Sequence, residues 1–141
     1  MAGLSTGLFL GLFYYLSQLD IPTLQIVRSF THPAIDHIGN AGNRLGDGLT
    51  LVLISLGIGA VGFGLRWPSW KSACIHTLIA HGVAGLFTRI LKHTIGRPRP
   101  RLMHGQEWEM APSFDSGFDS FPSGHTSASF AVAIVLAHYF P

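Results

Sequence analysis

Charge is scarce in this sequence. Of its 141 residues only 11% are Asp, Glu, Lys or Arg, against about 25% in a soluble domain. With 48% hydrophobic residues, that scarcity excludes a disordered chain, a coiled coil and a domain clothed in charge. Cysteine is nearly absent too. Cys74 alone cannot make an intramolecular disulfide framework or a cysteine-based zinc site. Neither an internal repeat nor a low-complexity tract is present, so residues 1–141 read as a single domain.

The few charges are also unevenly placed. None occurs from Met1 to Leu19, Gly48 to Leu65, Ser72 to Thr88 or Ser120 to Pro141, gaps of 19, 18, 17 and 22 residues. Each is close to the ~20 residues a helix needs to cross ~30 Å of hydrocarbon. Four buried soluble helices would show similar runs, but too little polar surface remains to cover them. The expected fold is therefore all-α, a multi-pass transmembrane helical bundle with spans near 2–19, 46–65, 72–91 and 123–140. The first segment lacks a basic flank and a small-x-small cleavage site, and reads as a retained helix. Its Gly3, Gly7 and Gly11 recur every four residues, which suits close helix approach.

The stretch from Asp20 to Asp47 contains Pro22 and Pro33 and reads as interfacial, with Leu24, Ile26, Val27 and Phe30 on its apolar side. Arg66-Trp67-Pro68-Ser69-Trp70-Lys71 reads as a short loop at headgroup level. Gly57-Ile58-Gly59-Ala60-Val61-Gly62 spells a dinucleotide fingerprint, but no strand pattern precedes it, so close helix packing is expected instead. The eight histidines lack zinc spacing. Neither metal nor cofactor is expected, and no nucleic-acid partner.

Five of the nine cations fall within thirteen residues: Arg89, Lys92, Arg97, Arg99 and Arg101. Alternating prolines at 98 and 100 forbid helix there and hold the chain extended. Guanidinium groups fixed in this way suit bidentate recognition of phosphate oxygens, and a lysine adds a mobile point charge. Taken alone, the cluster reads more readily as a membrane flank touching headgroups. A second cluster, Phe121-Pro122-Ser123-Gly124-His125-Thr126, opens the fourth apolar segment. Ser123 can cap the helix, Gly124 leaves room for an oxyanion at its N-terminus, and His125 can exchange a proton there. On the third helix, His81, Gly85, Thr88 and Lys92 share a face, so His81 and Thr88 are candidates to support the site from beneath.

Together these clusters resemble the first two signatures of the type 2 phosphatidic acid phosphatase superfamily, which also holds the vanadium haloperoxidases. The first is Lys, six residues, Arg-Pro, here Lys92 to Pro100. The second is Pro-Ser-Gly-His, here Pro122 to His125. The likeness is to the membrane-embedded bacterial branch and covers roughly residues 36–141. It implies metal-free hydrolysis of a lipid phosphate monoester or diphosphate through a phosphohistidine. Lys92, Arg99, Ser123 and the Gly124 backbone would bind phosphate, with Arg97 nearby, and His125 would be the general acid.

The family's third motif, Ser-Arg, five residues, His, three residues, Asp, carries the nucleophile and is not found in these 141 residues. His32 and Asp36 have the right spacing but lack the Ser-Arg and stand upstream. The expectation is a phosphate pocket and an acid without the attacking histidine, and therefore little turnover by this chain alone. The alternative is a non-catalytic membrane subunit or headgroup binder completed by partner helices. Expected partners are a lipid phosphate and membrane lipids. Counting cations puts the site loop in the cytoplasm, whereas the resemblance implies the outer face of a bacterial inner membrane.

Overall fold

A computed structural model describes residues 19–30, 32–99, 102 and 111–141, together with Gly11 and Tyr15. Apart from Gly11, Tyr15 and Leu19, the expected first span lies outside the described residues, as do Pro100, Arg101 and Trp108. Those described form five helices and no strand: α1 (Asp20–Ser29), α2 (Pro33–Leu45), α3 (Gly48–Gly64), α4 (Pro68–Ile95) and α5 (Gly124–Tyr139). The fold is all-α.

Two compact units divide at Gly39 and Asn40. In the first, α1 is closed by Phe30 N–H donating to Val27 O at 3.2 Å. His32 then caps α2, its Nδ1 accepting from Ala34 N–H at 3.2 Å and its carbonyl from Ile35 N–H at 2.9 Å. The stretch read as interfacial thus holds two helices, because its prolines stand where helices tolerate them. Pro22 lies in the first turn of α1, and Pro33 is the first residue of α2.

In the second unit α4 is the central helix, packed against both α3 and α5, while α3 and α5 touch less. The α3–α4 seam is built from small residues: Ser55, Gly59 and Gly62 face Ala73, Cys74 and Thr77, all buried. A Cβ on Gly59 would meet Cys74 Sγ at 2.6 Å, and one on Gly62 would meet Trp70 Cβ at 2.7 Å. Of the dinucleotide-like glycines, Gly59 and Gly62 are packing glycines, as expected from the sequence, while Gly57 has open space around it. Buried hydroxyls on this seam bond their own helices, Ser55 to Leu51 O and Thr77 to Ala73 O, both at 2.8 Å. Leu51, Ala128 and Val132 form the other small core, with Leu136 against it.

The larger apolar side chains point outward. Leu86, Phe87, Phe130 and Ile134 are all more than 60% exposed. Among the described residues α4 alone is long and apolar enough to cross a membrane by itself; α2 and α3, joined at a 61° bend, pass the same test only as a pair.

Candidate active site

The site begins at the C-terminal end of α4, where Gly85, Thr88 and Lys92 follow one another at helical spacing and Arg89 and His93 flank them. Gly96 ends the helix in the left-handed conformation (φ 59°), its N–H donating to Lys92 O at 2.8 Å. A side chain at 96 would strike the carbonyl of Ala111, so glycine is required there both for conformation and for space.

From Gly96 to Arg99 the chain is neither helix nor strand and is tied to the segment that precedes α5. Arg99 N–H donates to Gly117 O at 2.7 Å, and Ser120 N–H to Arg97 O at 3.1 Å. The Ser120 hydroxyl bonds the carbonyls of Arg97 and Pro98, at 3.0 and 2.9 Å. These contacts bring the two sequence clusters together although more than twenty residues separate them. Ser123 caps α5, its Oγ accepting from Thr126 N–H at 3.3 Å and Thr126 Oγ1 at 3.1 Å.

A cavity of about 380 Å³ lies between the end of α4 and the start of α5. It is lined by Gly85, Thr88, Arg89, Lys92, His93, Asp119 and Gly124. A second cavity of about 270 Å³ shares His93 and Asp119 with the first and adds Arg99, Phe114, Asp115, Ser116 and Gly117. A third, of about 580 Å³, is walled by Leu86, Ile90, Pro112, Phe114 and Thr94, and shares Arg89 and His93 with the first. His93 borders all three. It stacks on Phe114 at 4.7 Å between ring centres, and its Nδ1 is 3.1 Å from Ser113 O.

Lys92, Thr88 and Gly124 therefore meet at one cavity, and Arg99 reaches it through Asp119. Ser123 Oγ acts as acceptor in the helix cap and is not among the residues lining the cavity. His125 follows Gly124 in the first turn of α5 but does not line the cavity; its Cβ faces Gly46, where an added Cβ would lie 3.7 Å away. His81 packs beside Gly48 instead, with its Nδ1 buried and without a hydrogen-bond partner among the described residues. Arg97 is half-buried, and desolvation lowers its pKa from the usual arginine value.

Sequence reading assigned no role to Asp119. Its Oδ1 accepts from Arg99 Nε and its Oδ2 from Arg99 Nη2, both at 2.9 Å, while Lys92 Nζ stands 3.8 Å from Oδ2. The hydrogen bond from Arg99 holds the carboxyl below the ordinary carboxylate range, and the same bond raises the arginine. The one signal in sequence was an acid just ahead of Pro-Ser-Gly-His, among three other acids of the same loop.

Residues 73–141 match the PAP2 superfamily, and they contain both clusters. The part of the chain that carries the site belongs to that superfamily. Curated relatives include lipid A 1-phosphatase of Rhizobium etli, 29% identical over 123 residues covering 77% of this chain and 52% of the relative. A protein of the same name from Rhizobium johnstonii is 30% identical, over 76% of the chain and 49% of the relative. The "probable diacylglycerol pyrophosphate phosphatase 1" of Schizosaccharomyces pombe is 39% identical over 48% of the chain and 32% of the relative. The chain thus spans between a third and about half of the length of these proteins. No solved structure gives a significant match.

Proposed function

We propose that the chain carries the phosphate-binding part of a membrane-embedded lipid phosphate phosphatase. The observation that carries this reading is the pair of adjoining cavities. One is lined by Lys92, Arg89 and the N-terminal Gly124 of α5, and the other is apolar; they share Arg89 and His93. That is the shape of an amphiphile with an anionic head. The relatives named for lipid A and diacylglycerol pyrophosphate point to the same substrate class.

In this reading Lys92 and Arg99 bind the phosphoryl oxygens together with the N–H groups at the start of α5, and Thr88 supports Lys92 from the turn below. Phosphoryl transfer depends chiefly on such positioning and on spreading charge over the equatorial oxygens. In the chemistry the resemblance implies, an attacking histidine takes the phosphoryl group as phosphohistidine, a general acid gives its proton to the departing alkoxide, and water then releases phosphate. His125 is the acid of that scheme, and it stands outside the cavity in the same first turn of α5 as Gly124. The attacking histidine belongs to a motif these 141 residues do not contain.

A bundle of about four spans would place the site at one membrane face. Helix α4 is 28 residues long, about 42 Å at 1.5 Å per residue, against ~30 Å of hydrocarbon. Counted from Pro68, ~20 residues end near Phe87, which leaves Arg89, Lys92 and His93 at headgroup level. By resemblance, that level is the outer face of a bacterial inner membrane. The outward Leu86, Phe87, Phe130 and Ile134 suit a lipid surround.

The test is vanadate or phosphate binding by the chain in detergent, followed by release of phosphate from a lipid phosphate. Arg99→Ala should weaken binding about tenfold or more; unchanged binding removes Arg99 from the site. Binding without turnover identifies a headgroup binder in the chain as it stands.

A further inference from the structure

We propose that Asp119 is an internal counter-anion seated in the phosphate clamp, so that an entering phosphate must displace its carboxylate before Lys92 and Arg99 can hold it. The proposal rests on the phosphate reading of those two residues and concerns what stands between them.

Three features of the structure carry it. First, the carboxylate takes both donors of one edge of Arg99, at 2.9 Å each, the edge a two-oxygen face of phosphate would also take. Second, Lys92 Nζ converges on the same carboxylate from α4, 3.8 Å from Oδ2. The two cations assigned to phosphate thus point at one occupied position. Third, Asp119 borders both the 380 Å³ and the 270 Å³ cavities, so its side chain stands between the α5 N-terminus and Arg99.

Its backbone is held on both sides, by Gly117 O accepting from Arg99 N–H and by Ser120 bonding Arg97 and Pro98. The side chain is about a third exposed. A rotation of the side chain alone therefore moves the carboxylate out while the strap stays in place. Arg89, Lys92 and His93 on α4 and Asp115 on the loop are the other charged or titratable groups lining the two cavities. Two of these four, Arg89 and Lys92, are cations that favour an anion between them.

Displacement makes a quantitative statement. If every anion must evict the same carboxylate, removing its charge tightens all anions by the same factor. If Asp119 merely repelled anions from a distance, a dianion would gain far more than a monoanion. The experiment is calorimetric titration of the full 141-residue chain in detergent at pH 8, using inorganic phosphate as dianion and dimethyl phosphate as monoanion. Asp119→Asn should bind both about tenfold more tightly, by equal factors, a size suited to a bidentate but exposed pair. Asp119→Ala should move the same way, and thermal unfolding checks that both variants are folded.

Unchanged or weaker binding in both variants overturns the proposal and makes Asp119 a residue that aims Arg99. A gain confined to the dianion also overturns it. Arg99→Ala separates this proposal from the reading beneath it. If wild type binds phosphate, Arg99→Ala does not, and Asp119→Asn gains nothing, only the counter-anion falls. If neither wild type nor Asp119→Asn binds phosphate, both fall.

Discussion

Arg99 gives its Nε–Nη2 edge, the edge that faces Lys92 across the carboxylate, to Asp119. Because the folded carboxyl titrates below its ordinary 3.8, the pair stabilises the fold above that value and loses the contribution as pH falls through the lowered folded value. Both partners are substantially exposed, so solvent screening keeps the contribution small. Thermal melts between about pH 5 and pH 3 should show wild type losing slightly more stability than Asp119→Asn; parallel curves would mean the bridge contributes nothing in solution. Lys92 and Arg99 were legible in the sequence because cations at fixed spacing around rigid prolines are uncommon. Asp119 was not legible. Four acids share the loop, and pairing is decided by the Arg99–Gly117 and Arg97–Ser120 hydrogen bonds, whose register no local pattern announces.

Helices meet here through missing side chains. Gly62 leaves room for the backbone of Trp70 and Lys71, since an added Cβ would stand 2.7 Å from Trp70 Cβ and 2.9 Å from Lys71 N. Backbone cannot yield as a flexible side chain can, so Gly62→Ala should destabilise by about 1–3 kcal/mol. Gly57→Ala, with open space around it, should cost nothing of this kind. Denaturation of the two variants in detergent compares them directly. Ser123→Ala removes the α5 cap and should cost about 1 kcal/mol; the same measurement reads it. The cap and the packing glycines were legible because each follows from one residue's chemistry. The stretch that holds α1 and α2 was legible only as amphipathic or interfacial, and its helix bounds were not, because they are set by Pro22 and Pro33 standing at helix starts.

On the scale of the whole molecule, an apolar exterior surrounds a polar site at one end of α4. Cations count toward one membrane face and the resemblance toward the other, since Lys92, Arg97, Arg99 and Arg101 serve phosphate in this reading rather than topology. A cysteine introduced as Gly105→Cys decides the matter. Labelling by an impermeant thiol reagent from outside is expected, and labelling only after permeabilisation would put the site in the cytoplasm. Cys74, buried in the α3–α4 seam, should stay silent in either case.

The hydroxyl of Ser120, shared between the carbonyls of Arg97 and Pro98, ties the segment that leaves α4 to the segment that enters α5. Both acceptors are backbone atoms, so the tie asks nothing of the Arg97 side chain. The charge at 97 can change while this stitch in the pocket is kept.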